Sequence, residues 1–204
     1  MPGTAGDHDT GTDVTPTDLP GGPTLRTERL ILRPWRAEDL DPFAALNTDD
    51  RVTVTLGGSI DRNASDALAA RIVEGFEKRG FGQWAVELSG VAPFIGFIGL
   101  SVPGFDAPFM PAVEIGWRLA FDHWGKGYAT EGARAALDYG FNAAGLAEIV
   151  SFTAAGNTRS RAVMERLGMR TDPKDDFGHV RLGPDHPLYH HVLYRLRRAD
   201  WRGR

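Results

Sequence analysis

The chain has 204 residues, with 23 Lys and Arg against 27 Asp and Glu, a formal net charge of −4, and no cysteine. A length of this order can bury one substantial core. The intermingled charge gives no basic surface for nucleic acid, and the lack of cysteine excludes disulfides and thiolate chemistry.

No apolar run approaches the roughly 18 residues of a membrane helix, and the first residues lack the basic-then-apolar pattern of a secretory signal, so a cytoplasmic protein is expected. Residues 1–24 are mostly Gly, Thr, Asp and Pro. Such a stretch buries too little to offset its ordering entropy, and the expectation is a flexible arm followed by one domain over 25–204.

The domain opens with a strand expected over 25–35, ending at Trp35. A helix is predicted over 37–46, entered through Glu38 and Asp39, and a second over 63–78 with Leu68, Ile72, Val73 and Phe76 on one face. Gly80 and Gly82 break the chain before a strand at Gln83–Leu88, and Ser89-Gly90 breaks it before another over 94–102, an antiparallel pair. A Pro- and Gly-rich loop, PGFDAPFMP, follows. Val113, Ile115, Trp117 and Leu119 then alternate with Glu114, Gly116 and Arg118, the period of a strand with two different faces. From Tyr128 the apolar residues fall three or four apart, the period of a helix. A strand at Glu148–Ala154, a helix over 160–167 and a strand over 190–196 complete a mixed α/β sandwich with a mostly antiparallel sheet.

Between the central strand and its helix lies Trp124-Gly125-Lys126-Gly127-Tyr128-Ala129. The first amides of a helix have no intrahelical partner and sit at the positive end of its dipole. Two glycines allow close approach to the backbone, and Lys126 adds charge, so the turn suits a phosphate; a plain structural turn fits the segment alone equally well. The spacing is not that of a Walker loop. A dinucleotide fingerprint fails because Thr130 stands in the place of the third glycine.

The turn is similar to the acetyl-CoA-binding motif of the GNAT N-acetyltransferases, Gln/Arg-x-x-Gly-x-Gly/Ala, with Trp124 at the Gln/Arg position. WGKGYATEG resembles the RimJ/RimL-like branch, which acetylates N-termini of ribosomal proteins. The run from Asn157 to Gly168-Met169 and the opening LRTERLILRPW resemble that branch too, so the likeness covers roughly 25–196. It implies the GNAT fold, with central strands splayed to hold coenzyme A, and an acetyl-CoA-dependent enzyme. It also implies that the backbone of Trp117, Arg118 and Leu119 pairs with the pantetheine arm. The pyrophosphate would lie on Trp124, Gly125, Lys126, Gly127, Tyr128, Ala129 and Thr130. Asn157 would contact the cofactor, a role compatible with the helix N-cap that Asn often forms.

By the same resemblance Glu114 is the candidate general base; its alternative is a structural glutamate paired with Arg118 or a loop amide. Many members place a Tyr seven residues after the Asn as acid, but Met164 stands there. The branch offers Ser160 instead, which is also an ordinary capping residue. Without cysteine, direct attack of a primary amine in a ternary complex is expected. The acceptor, a protein N-terminus or a small molecule, would meet aromatic residues, with Trp35, Phe81, Trp84, Phe105, Phe109 and His179 as candidates. Phe105 and Phe109, large apolar groups in a loop, suit a substrate lid. His179, His186, His190 and His191 lack metal-ligand spacing, and no metal is expected. A homodimer would be common for the group. The rival readings are a non-catalytic acyl-CoA sensor on the same fold and, more weakly, a dinucleotide enzyme.

Overall fold

The computed structural model describes Leu19 and residues 21–203. Among the described residues nine strands form one sheet: β1 (Leu25–Arg26), β2 (Leu30–Arg33), β3 (Gln83–Leu88), β4 (Ala92–Ser101), β5 (Glu114–Leu119), β6 (Glu148–Ala154), β7 (Arg170–Thr171), β8 (Phe177–Gly178) and β9 (His190–Arg197). Their order is β1-β2-β3-β4-β5-β6-β9-β7, with β8 also on β9. Every pairing is antiparallel except β5 with β6.

The helices are α1 (Leu40–Thr48), α2 (Asp50–Thr53), α3 (Arg62–Arg79), α4 (Tyr128–Asp138) and α5 (Thr158–Arg166). A 3-10 turn at Ala37–Asp39 leads into α1, and α4 widens into a π turn over Tyr139–Ala143. Asp61 caps α3 by accepting from the Ala64 N–H, and Gly80 ends it in the left-handed conformation with φ 72°.

The sheet separates two apolar clusters. Ala133, Ala136 and Leu137 of α4 and Met164 of α5 pack with Ile98, Leu100, Ile115 and Leu119 on one face. On the other, Phe43 and Leu46 of α1 and Ala69 and Ile72 of α3 pack with Trp35, Ala85 and Phe97. Ile115, Trp117 and Leu119 therefore face α4. Glu114, Gly116 and Arg118 face the side of α1, since Arg118 pairs in register with Phe97.

The expected strand over 25–35 is divided. The Thr27 side chain takes a hydrogen bond from the Leu30 N–H (2.9 Å), and the Thr27 N–H returns one to the Leu30 carbonyl (2.9 Å), making a turn between β1 and β2. The short α2 and the strands β7 and β8 carry too little periodicity to be read from sequence. Residues 1–18 and 20 of the expected flexible arm lie outside the described residues. Its remaining part packs on the domain: the Leu19 N–H donates to the Trp35 carbonyl (2.7 Å), and the Pro23 carbonyl accepts from Trp84 Nε1 (2.8 Å). Among the described residues no helix is long and apolar enough to cross a membrane.

Gly96 is the tightest point of the β4–β5 pairing. Its φ is 132°, and a Cβ there would lie 2.1 Å from the Arg118 carbonyl oxygen. Gly96→Ala is expected to cost about 2–4 kcal/mol by forcing the strands apart beside the site. Urea unfolding measures this, and a loss under about 0.5 kcal/mol would show that the pairing yields freely.

Candidate active site

The β5–β6 pair is joined at one end only. Glu114 pairs with Val150, the Val150 N–H donates to the Val113 carbonyl (2.8 Å), and Ser151 Oγ donates to the Ile115 carbonyl (2.9 Å). Beyond that point the strands have no register, while residues 116–119 remain bonded to β4. The gap opens into a cleft of about 1210 Å³ running from β5 past the N-terminus of α4 to the N-terminus of α5.

All but one of the residues proposed from sequence to hold a cofactor line this cleft: Trp117, Arg118, Leu119, Trp124, Gly125, Gly127, Tyr128, Ala129, Thr130, Asn157 and Ser160. The exception is Lys126, exposed in the same turn. Gly125 and Gly127 have φ of 73° and 83°, the left-handed region that glycine adopts without strain. Gly127 begins α4 without any side-chain cap, leaving the first amides of the helix without a side-chain acceptor at the cleft wall. A diphosphate fits such donors, with Arg159 and Arg166 also lining the cleft. Trp124 is a strut: its Nε1 donates to the Leu119 carbonyl (2.8 Å), and the Arg159 guanidinium lies 5.1 Å from its ring.

The turn is bolted from β1–β2. Thr27 Oγ1 donates to Glu131 Oε1 (2.6 Å), as does the Arg29 N–H (2.8 Å), while Arg29 Nε meets Oε2 (2.7 Å) and Nη1 the Lys126 carbonyl (3.0 Å). Thus the Thr-Glu-Arg of the opening segment and the Glu of WGKGYATEG clamp one another. Sequence reasoning saw both motifs but not their contact.

Asn157 both caps a helix and lines the cleft. Its Oδ1 accepts from the Ser160 N–H (3.2 Å), and its Nδ2 is within reach of Thr153 Oγ1 (3.0 Å), Ser160 Oγ (3.1 Å) and Thr55 Oγ1 (3.3 Å). Thr55, with Arg51, Val54 and Leu56, brings the segment around α2 to the cleft, a wall that sequence reasoning missed. Met164, at the position of the absent Tyr, is 1% exposed in the core.

Glu114 does not line the cleft and makes no ion pair with Arg118. Burial pushes its carboxyl up to about 8, against a smaller opposing effect from a Ser101 hydrogen bond. Arg118 Nη1 donates to Asn47 Oδ1, whose Nδ2 donates to Ser65 Oγ (2.9 Å). Arg118 Nε is buried without a partner, and burial alone lowers the guanidinium to about 10.

The substrate candidates divide. Trp35 and Trp84 are 1% and 0% exposed, their indole N–H groups bonded to the Gln83 and Pro23 carbonyls. They are core residues and cannot touch an acceptor, a correction that follows from the preference of large aromatics for the interior. Phe81 is also buried. Phe105, Phe109 and His179 do come together, though away from the cleft. Phe105 lies 5.0 Å from His179 and 5.7 Å from Phe152, and Phe109 lies 5.0 Å from Phe177. The His191 ring lies 4.8 Å from that of His179, tilted at 44°, and burial lowers both rings' proton affinity. This cluster includes Val150, the partner of Glu114, and so lies on the Glu114 face. Among the described residues no group of three or more His, Cys, Asp or Glu could hold a metal ion.

The family model of the acetyltransferase (GNAT) domain matches residues 29–170. The FsC-acetyl coenzyme A-N(2)-transacetylase of Aspergillus fumigatus is 31% identical over 186 residues, 88% of this chain and 78% of that protein. A crystal structure of an acetyltransferase from Agrobacterium tumefaciens is 32% identical with a TM-score of 0.69, covering 85% of this chain and 94% of the other. RimJ of Mycobacterium smegmatis, in complex with CoA-disulfide, shares the fold at 21% identity and TM-score 0.65, covering 86% of each chain. The mixed sheet flanked by helices is the architecture of these acetyltransferases.

Glu114 also gives a stability signature. Between its ordinary value of 4.5 and about 8 the folded state binds one more proton than the unfolded chain. Its contribution is therefore present below pH 4.5 and lost as pH rises to 8, at about 1.4 kcal/mol per unit. Glu114→Gln should match the parent near pH 4.5 and exceed it in stability at pH 9. Parallel unfolding curves at both pH values would contradict the burial of this carboxyl.

Proposed function

We propose, given that this chain belongs to the acetyltransferase (GNAT) family and is an N-acetyltransferase, that it transfers acetyl from acetyl-CoA directly to a primary amine, either a protein N-terminal α-amine or an amine on a small molecule. The observation that carries this reading is the parting of β5 and β6 beside an uncapped helix N-terminus. It offers a free strand edge for the pantetheine and amides for the diphosphate in one continuous cleft. A relative named as an N(2)-transacetylase supports nitrogen as the accepting atom. The WGKGYATEG motif supports the RimJ/RimL-like branch.

In this reading the backbone amides along residues 117–119 orient and polarise the thioester carbonyl. Glu114, on the α1 face and outside the cleft lining, takes the proton from the attacking amine through intervening water; a carboxyl lifted by burial is matched to that task. The new C–N bond forms as the C–S bond breaks. Ser160 hydrogen-bonds the departing thiolate and relays to it a proton from water, which reprotonates the Ser160 oxygen in the same step, while that oxygen accepts from Asn157 Nδ2 (3.1 Å). The absence of cysteine supports direct transfer over a thioester intermediate on the protein.

Thiol release from acetyl-CoA, screened across N-terminal peptides and small amines, tests this. Release should accelerate with at least one amine class, whereas tight binding of acetyl-CoA with no turnover would favour a sensor. Ser160→Ala should lower kcat about 10- to 100-fold while the KM for acetyl-CoA moves less. An unchanged kcat would remove Ser160 from the reaction.

A further inference from the structure

Arg118 is a half-buried cation with an enclosed Nε that no carboxylate meets. Buried charges in proteins are ordinarily paired, because an uncompensated ion costs several kcal/mol of desolvation, roughly what a ligand can restore. Arg33 follows that rule: it bonds Asp39 twice (2.8 and 2.9 Å), Glu87 (3.2 Å) and the Pro34 carbonyl (3.0 Å). Arg118 has instead one neutral acceptor, Asn47, a flank on the Phe97 ring at 5.5 Å, and an Nε with no partner. Asn47 is fully buried and held by Ser65, so the guanidinium is positioned rather than left to wander. It is also at the wall of the cleft.

The strand's alternation says which side of the reaction this charge serves. Trp117 and Leu119 pack with the cluster under α4, whose N-terminus suits phosphates. Arg118 is on the opposite face with Glu114, and between them stands Gly116. A Cβ at Gly116 would meet Gln83 Nε2 at 3.7 Å and Glu114 Oε1 at 3.8 Å, both ordinary contacts, so the missing side chain leaves room for about a methyl group between the two charged residues. At about 3.3 Å per residue the two α-carbons are about 13 Å apart, less the reach of both side chains, a span for an amino acid or short peptide.

We propose that Arg118 holds a carboxylate of the acetyl acceptor, so that the preferred substrates are amines that also carry a carboxylate, with the amine at the Glu114 end. The fork of a guanidinium matches a carboxylate, and its enclosure makes the contact selective against a neutral amide. This proposal rests on the transferase reading.

The test compares ω-amino carboxylates of rising length, from glycine to aminohexanoate, with the corresponding ω-amino amides in thiol release. The parent protein should prefer the carboxylate at the best length by about 10- to 100-fold in kcat/KM. Arg118→Gln should reduce that ratio to about twofold, and Arg118→Lys, which keeps charge without the fork, should retain part of it. Turnover of amides and carboxylates at equal rates would overturn the proposal while leaving the transferase intact. A loss of acetyl-CoA affinity in Arg118→Gln with the preference unchanged would assign the guanidinium to a cofactor phosphate and overturn it as well. If neither series is turned over, calorimetry on the same proteins decides: carboxylates that bind the parent but not Arg118→Gln support the proposal, and equal or absent binding refutes it.

Discussion

The single point of pairing between β5 and β6 is the constraint on which the site depends. A parallel pair inside a sheet ordinarily continues as a ladder, because unpaired backbone groups are costly when buried. Here the ladder stops after Glu114–Val150, and the two strands are held apart by what packs around them. β4 keeps β5 in register along its length, β9 does the same for β6, and the Trp124 indole occupies the Leu119 carbonyl. The free edge of β5 is thus a product of well-satisfied neighbours rather than of looseness.

Two local devices carry that opening into chemistry. The Thr27–Arg29 clamp on Glu131 fixes the glycine turn to the far edge of the sheet, so the uncapped amides of α4 hold a set direction. On the other face, Glu114 and Arg118 share one side of β5 without pairing, an arrangement a purely structural strand would avoid. Nearby polar groups are closely matched, as Arg33 with Asp39 illustrates, and the unpaired Arg118 Nε contrasts with them.

Much of this was legible in the sequence because it rests on local rules. The alternation over 113–119 and the change of period at Tyr128 located β5, the glycine turn and α4, and both glycines take the left-handed conformation that their placement implied. The capping reading of Asn157 holds, and the same residue lines the cleft. What escaped is long-range. Nothing near Glu131 in sequence announces Thr27, and nothing near Arg118 announces Asn47. The wall around Thr55 follows a helix of one turn, too short for a periodic signal. The aromatic candidates failed for a related reason: an isolated Trp reads the same whether it fills a core, as Trp35 and Trp84 do, or lines a pocket. Phe105 and Phe109 were rightly grouped, yet their partners Phe152 and Phe177 come from distant strands.

Hydrogen exchange with and without acetyl-CoA tests the central claim, that the free edge of β5 and the first turn of α4 receive one extended ligand. The account predicts that the amides of residues 117–119 and 128–130 gain protection together on addition of acetyl-CoA, and that free pantetheine protects only the first group. Binding of acetyl-CoA that leaves both groups exchanging at their original rates would contradict it.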